Sequence, residues 1–337
     1  MEAQSLDTSN SPKSLVNALS ASVIICAYTE KRWDDIVAAI KSVRQQTLQS
    51  QETILVIDYN PAMLERVKRE IPDVIAVGNR YARGLSGAKN TGFEVAKSDL
   101  VAFLDDDAIA EPQWLERLVG TSSTPNTLGV GGWVEPLWES GRPAWFPDEY
   151  LWAIGGTSKV MPKDVAPIRN VFGGNSCWRR DVYQSVGGFH TGMGAGTKLG
   201  GHSLACEETE LCIRARQRWP GKTFLFDPQA IIHHRVSPER ATWKYFRQRC
   251  FTEGLSKAIV ARNVGASDGL SAERAHVLHE LPKGVLKGIG DAFKGDLCGL
   301  QRSYAIVLGL VCAGAGYIKA MTSLPKLMPA PQPMPSN

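Results

Sequence analysis

Three consecutive carboxylates, Asp105, Asp106 and Asp107, close the apolar run Phe103-Leu104. Acids gathered at the end of a buried segment repel one another unless a cation offsets them. A hard divalent ion shared with substrate phosphates is the usual resolution, and Asp105 and Asp107 can converge on one such ion. A solvated acidic turn ahead of Pro112 explains the triplet equally well when it is taken alone. Two further groups could do chemistry. In Glu207-Glu208-Thr209-Glu210 one acid raises the pKa of the next, which suits a general base; acids in a first helical turn also complement the helix dipole. His233-His234 ends the apolar run Ala230-Ile231-Ile232, where one histidine is a metal ligand or both are ordinary structural residues.

These groups act together only if the fold brings them to one crevice. Ser22–Ala27, Thr53–Ile57, Val74–Val77 and Leu100–Leu104 read as short buried strands, and Asp34–Gln46, Met63–Ile71 and Thr91–Lys97 as helices. Their alternation predicts βαβ units: an α/β fold with a Rossmann-like, mainly parallel central sheet flanked by helices. Ligands of such sheets bind outside the carboxyl ends of the strands, and Tyr28–Glu30, Asp58 and Asp105–Asp107 each follow one. Beyond Gly131 the pattern becomes irregular. Trp133, Trp138, Trp145 and Trp152 punctuate it, either to stack on sugar rings or to be buried. Glu208–Trp219 then reads as a helix and Phe224–His234 as a strand. The Gly-rich stretch Gly192–Gly201 holds too little apolar content to pack, which leaves a lid or a disordered loop.

In chain order the pieces are Ala27-Tyr28-Thr29-Glu30, Asp58, Gly84 to Gly92 around Ala88-Lys89-Asn90, Asp105-x-Asp107, Gly173-Gly174-Asn175, Arg179-Arg180, Gly187-Gly188-Phe189, Glu207-Glu208 and His234. Together, over roughly Ser22 to Gly254, they resemble the inverting family 2 glycosyltransferases of the GT-A fold. The resemblance implies metal-dependent transfer of a sugar from a nucleotide-diphosphate donor to a hydroxyl of a saccharide or lipid-linked acceptor, in cell-surface polysaccharide or glycolipid synthesis. It implies that Glu30 and Asp58 hold the nucleoside, with Ala27, Tyr28, Lys89, Asp105 and Asp106 also at the donor. Asp107 and His234 would bind Mn²⁺ or Mg²⁺, and Glu208 would be the general base. Gly174, Asn175, Glu207 and Trp145 would face the acceptor. The segment Arg235 to Arg240 resembles the family's His-Arg-Val-x-Pro-x-Arg pattern and selects His234 over His233, and Glu210 is left to the helix surface or the acceptor pocket. Ala27 stands where the family usually has Pro, Tyr59 where Asp or Asn is frequent, and Glu208 where Asp is usual, so the nucleotide stays open. Two alternatives remain: a phosphoryl or nucleotidyl transferase, disfavoured because no Gly-x-x-x-x-Gly-Lys loop is present, and a non-catalytic sugar-nucleotide-binding or scaffold protein.

Composition sets the wider frame. With 43% apolar and 21% charged residues the 337-residue chain is ordinary globular material. A net charge of +4 gives no reason to expect a nucleic-acid partner, but from Arg235 onward the balance is +7 and before it −3. Seven cysteines, an odd number without a CxxC pair, fit reduced thiols in the cytoplasm, and the N-terminus lacks the pattern of a secretory signal. The expected organisation is a flexible tail (1–20), a GT-A catalytic domain (21–260), a helical extension (261–324) and a disordered Pro-rich tail (325–337). In the extension, Leu281 to Leu297 reads as a basic amphipathic helix and Ala305–Ile318 as an apolar run too short to span a bilayer. Contact with the cytoplasmic face of a membrane, packing inside the protein and a homo-oligomer interface are all compatible with it.

Overall fold

Short aliphatic runs separated by capped helices build the first half of the chain. They form β1 (Ala21–Ala27), α1 (Trp33–Arg44), β2 (Glu52–Ile57), α2 (Pro61–Glu70), β3 (Ile75–Gly78), α3 (Leu85–Val95) and β4 (Leu100–Asp105). The start of α2 shows the local logic: Asn60 accepts from the Met63 N–H, and Pro61 occupies the first turn, where no N–H is needed. Next come β5 (Ala108–Ala110), α4 (Trp114–Ser122), β6 (Thr127–Trp138), β7 (Ala166–Ile168), β8 (Asn175–Arg179), α5 (Arg180–Ser185), β9 (Lys198–Leu199), β10 (His202–Ser203), α6 (Glu207–Arg218) and β11 (Thr223–Val236). The chain continues through α7 (Trp243–Val264), α8 (Ala266–Gly269), α9 (Ser271–Ala275), α10 (Leu281–Phe293) and α11 (Cys298–Ser323). This computed structural model describes residues 19–199 and 201–325, so the two expected tails lie almost wholly outside the described residues.

The nine-stranded sheet runs β3-β2-β1-β4-β8-β6-β11-β5, with β7 also paired to β11. Its first four strands are parallel, as expected. Beyond β4 it becomes mixed, because β8 lies antiparallel between β4 and β6 while β6 and β11 run parallel. Helices α1, α2 and α4 bury Ile40, Val67, Trp114 and Leu118 on one face; α3, α5 and α6 bury Phe93, Tyr183 and Leu211 on the other. The chain order reverses between β1 and β4, which opens a crevice at Ala27 and Asp105.

Several expectations need adjusting. Helix α3 begins at Leu85 rather than Thr91, because the small residues of the Gly84–Gly92 stretch form the helix and are buried in it. Of the stretch expected to be irregular after Gly131, the part to Trp138 belongs to β6, whose alternation is masked by Gly129, Gly131 and Gly132, and the part from 139 to 165 is turns, coil and one short 3-10 segment. The first part of the Gly192–Gly201 stretch does pack: Met193 is fully buried, its carbonyl accepts from Ser86 Oγ, and the Ala195 carbonyl accepts from the Leu85 N–H. All seven cysteines are free.

The extension shares its core with the catalytic domain. Position 260 falls within α7, and the Ala305–Ile318 run is the middle of the longer helix α11. Over its 26 residues α11 is long and apolar enough to cross a membrane, contrary to the expectation of a run too short to span one. Leu255 and Ile259 of α7 share one cluster with Ile213 of α6 and Ala320 of α11. Phe246 shares another with Tyr150 and Ile306.

Candidate active site

At the β1–β4 switch point the acidic turn meets the end of β11. Asp105 ends β4, and Ala108 of β5 pairs with His234, so the register carries His234 back to Asp107. One donor atom each from Asp105, Asp107 and His234 lies within 4.8 Å of the others. His234 Nε2 is 3.3 Å from Asp107 Oδ1, and both side chains are buried. His233 points the opposite way and meets Glu111 at 2.6 Å, as strand alternation requires. Two carboxylates and an imidazole make an oxygen- and nitrogen-rich set suited to Mn²⁺ or Mg²⁺.

The electrostatics agree with a cation-seeking site. Burial, followed by the charge of Asp107, raises the Asp105 pKa. Burial also works against the Asp107 charge, but the His234 hydrogen bond and the His234, Arg32 and Arg240 charges outweigh it and hold Asp107 at about 2. Gly174 lies directly on Asp105, where any Cβ would overlap the carboxylate. The second glycine of Gly173-Gly174-Asn175 is thus a packing requirement of the acidic turn.

The other wall is the start of α6. Glu207 is buried, and its Oε1 stands 3.6 Å from Lys89 Nζ, an ammonium with no hydrogen-bond partner among the described residues. Glu208 follows it half-buried, with Gly173 against both Lys89 and Glu208. Burial first and the Glu207 charge second push Glu208 up to about 7, against the pull of Lys89. Lys89 also interacts with Asp105, so the metal-type group and the carboxyl of raised pKa share one crevice. The residue ahead of Glu207 is Cys206, in a left-handed conformation (φ 65°), with its Sγ 3.2 Å from Glu253 Oε1. Glu253 is held by Arg249 at 3.0 Å and by Lys257 at 3.4 Å, and Lys257 reaches Glu273 at 2.8 Å. Helix α7 thereby braces the turn that presents Glu208.

The other expected site residues lie as follows. Asn175 is fully buried and its amide is fully used: it accepts from Trp114 Nε1 at 2.8 Å and donates to the Trp133 and Ala230 carbonyls at 2.9 and 3.0 Å. It ties the sheet together and does not face an acceptor. Trp145 stacks on Trp243, centroids 3.9 Å apart, within the aromatic cluster at the start of α7. Asp106 turns inward onto Arg32 at 2.8 Å, with burial pushing it up to about 7 against the pull of Arg32. Asp58 accepts from Asn79 and from the Gly84 N–H, and so shapes the turn into α3. Ala27 is buried, with its carbonyl taken by the Asp58 N–H, whereas Tyr28 and Glu30 stand exposed at the mouth. Glu210 is a buried partner of Arg214, which also ties down the carbonyls of Val186 and Gly188.

Two cations escaped the sequence reading. Arg32 Nη1 lies 3.1 Å from Asp107 Oδ2, and Arg240 Nη1 lies 3.5 Å from His234 Nε2. The segment ending in Arg240 points in sequence only to its histidine, and Arg32 carries no signal beyond following the mouth residues.

The sequence model for glycosyl transferase family 2 matches residues 22–187. A glucosyl-dolichyl phosphate glucuronosyltransferase of Haloferax volcanii is 30% identical over 305 residues, covering 89% of this chain and 96% of the relative. The succinoglycan biosynthesis protein ExoM of Rhizobium meliloti is 26% identical over 278 residues, covering 80% of this chain and 81% of that protein. The mannosyltransferase PcManGT of Pyrobaculum calidifontis, solved with GDP-Man and Mn²⁺, is similar in fold with a TM-score of 0.55 at 16% identity, over 90% of this chain and 87% of that one. The fold is thus of the GT-A type.

Proposed function

The chain belongs to glycosyl transferase family 2 and is a glycosyltransferase, and from that premise we propose that it catalyses an inverting, metal-dependent transfer from a nucleotide-diphosphate sugar to a hydroxyl of a lipid-linked acceptor. The observation that carries the reading is the shared crevice: Asp105, Asp107 and His234 on one wall, Glu208 on the other, and Lys89 between. Asp105, Asp107 and His234 would hold Mn²⁺ or Mg²⁺, which supplies charge to offset that of the departing nucleoside diphosphate. Glu208 takes the proton from the acceptor hydroxyl as that oxygen attacks the anomeric carbon from the face opposite the leaving group. The bond to the diphosphate breaks in the same step, which inverts the configuration. Lys89 and Arg240 add fixed positive charge on the side where negative charge collects. Tyr28, Glu30 and Asp58 remain the residues proposed at the nucleoside end. Asp106 and Ala27 support that end from beneath, and Glu207 supports Glu208 through its charge.

A lipid-linked acceptor is favoured because the relative matching nearly the full chain is named for a dolichyl phosphate substrate. A saccharide acceptor is the second reading, favoured by the likeness to a succinoglycan biosynthesis protein. The proposed place of work is the cytoplasmic face of a membrane. The test is transfer from a panel of nucleotide sugars to a monosaccharide carried on a polyprenyl phosphate, followed by NMR of the new linkage. Transfer with inversion that stops with chelator and returns with Mn²⁺ or Mg²⁺ is expected. Retention of configuration, or full activity in excess chelator, would refute the mechanism.

A further inference from the structure

Helix α11 is built inside out. Its inward stripe is mostly small: Gly299, Ser303, Ala305, Gly309, Gly316 and Ala320 are buried, with Ile306 the large residue among them. A Cβ at Gly299 would strike the Gly288 carbonyl of α10, one at Gly316 the Phe251 carbonyl of α7, and one at Gly254 of α7 the Ala313 carbonyl of α11. The backbones of α7, α10 and α11 therefore touch along nearly the whole of α11. Its outward stripe is large and apolar. Leu300, Tyr304, Val307, Val311 and Ile318 recur at helical spacing and are 50–64% exposed. Phe293, at the turn leading in from α10, is 90% exposed. A soluble helix places these two kinds of residue the other way round.

The surroundings identify what covers this face. Helix α11 contains no acidic residue. Lys294, next to Phe293, and Lys319, next to Ile318, are exposed and unpaired among the described residues, and the acids Asp291 and Asp296 are both taken up by Arg302. A second copy docked face to face would bring these lysines against their own counterparts. An anionic bilayer offers acyl chains to the stripe and phosphates to the rim. Helix α11 is long and apolar enough to cross a membrane, but its backbone contacts with α10 at Gly299 and with α7 at Gly316 hold it against the protein, which favours a placement along the bilayer.

We propose that the outward face of α11, with Phe293, is a membrane-docking surface that seats the enzyme flat on an anionic bilayer. The inference deepens the lipid-linked reading, since it says where the lipid surface stands relative to the base. Helix α7 separates the two: it packs on α11 with one face and braces the Cys206–Glu208 turn through Glu253 on another. Glu208 thus stands roughly one to two interhelical spacings of 8–10 Å from the bilayer surface. Acceptors with a short head on the lipid phosphate fit that separation.

The test is flotation of the full chain with vesicles of phosphatidylcholine, with and without phosphatidylglycerol. The wild type is expected to float with the anionic vesicles, and high salt should weaken the binding without abolishing it. Replacing Lys294 and Lys319 by Gln should cost about thirtyfold in vesicle affinity. V307D/V311D, at half-exposed positions, should stop flotation while keeping the wild-type melting temperature. Its calorimetric affinity for nucleotide sugar with Mn²⁺ should be unchanged, so failure of docking and failure of the transfer reading are told apart. The proposal is overturned if the wild type ignores both vesicle types, if V307D/V311D floats like wild type, or if the wild type sediments as a dimer that this variant splits while never binding lipid.

Discussion

The sharpest consequence of the site concerns pH. Glu208 acts as a base only when ionised, and burial together with Glu207 raises it to about 7. At pH 6 only about a tenth of the enzyme would carry the base, so kcat/KM should fall about tenfold per pH unit below 7 and level off above it. The neighbours predict shifts of opposite sign. Glu207→Gln removes an upward push and should move the limb to lower pH; Lys89→Met removes a downward pull and should move it higher. Glu208→Gln should abolish the limb and cost about 10²–10⁴-fold in rate. Stability provides an independent check. A carboxyl whose pKa is raised by folding favours the folded state while protonated, and that contribution is lost as pH rises from the unfolded value towards 7. Glu208→Gln should therefore raise the melting temperature at pH 8 relative to wild type, with little change at pH 5. Initial rates and thermal melts across pH 5–9 at constant ionic strength read both effects. A limb that persists in Glu208→Gln, or one that moves the same way in the Glu207 and Lys89 variants, would refute the reasoning.

Two further predictions concern packing around the crevice. Gly174→Ala drives a methyl into the Asp105 carboxylate, and should weaken calorimetric Mn²⁺ binding at least tenfold for a stability cost of about 1–3 kcal/mol. Asn175→Ala leaves Trp114 Nε1 and two buried carbonyls without partners, and should lower stability by about 3 kcal/mol in urea melts with donor affinity per folded molecule intact. An Asn175 variant of wild-type stability that has lost acceptor binding would return this residue to the acceptor site.

The first four strands and the acidic turn were legible because each couples an aliphatic run to a polar end, and nothing long-range is needed to see that. His234 was legible from the segment Arg235 to Arg240 that follows it, and strand alternation in the structure puts it, and not His233, on the crevice side. Asn175 and Glu210 were misplaced because a motif position does not reveal which neighbours satisfy a side chain. The partners of Asn175 lie 42 to 61 residues away in sequence. Helix α3 was read short because its small residues look like a loop until the elements packed on them are known. Arg32 and Arg240 were missed because cations abound in the chain, and only the folded geometry singles out these two beside Asp107.

The seam between α7 and α11 bears on how the protein can be handled. Shortening the chain ahead of α10 would seem the obvious route to a better-behaved sample, since the apolar helix goes with the cut. The seam makes that a poor bargain. Beneath α11 lie Gly254, Leu255 and Ile259, on the same helix whose Glu253 steadies the turn bearing Glu208. Shortening exchanges one exposed apolar surface for another and loosens the turn as well. Solubility is better sought by recolouring the outer stripe residue by residue, which leaves the glycine contacts intact. Crystallisation and assay in mild detergent follow from the same logic, because detergent covers the outer stripe and leaves the seam closed.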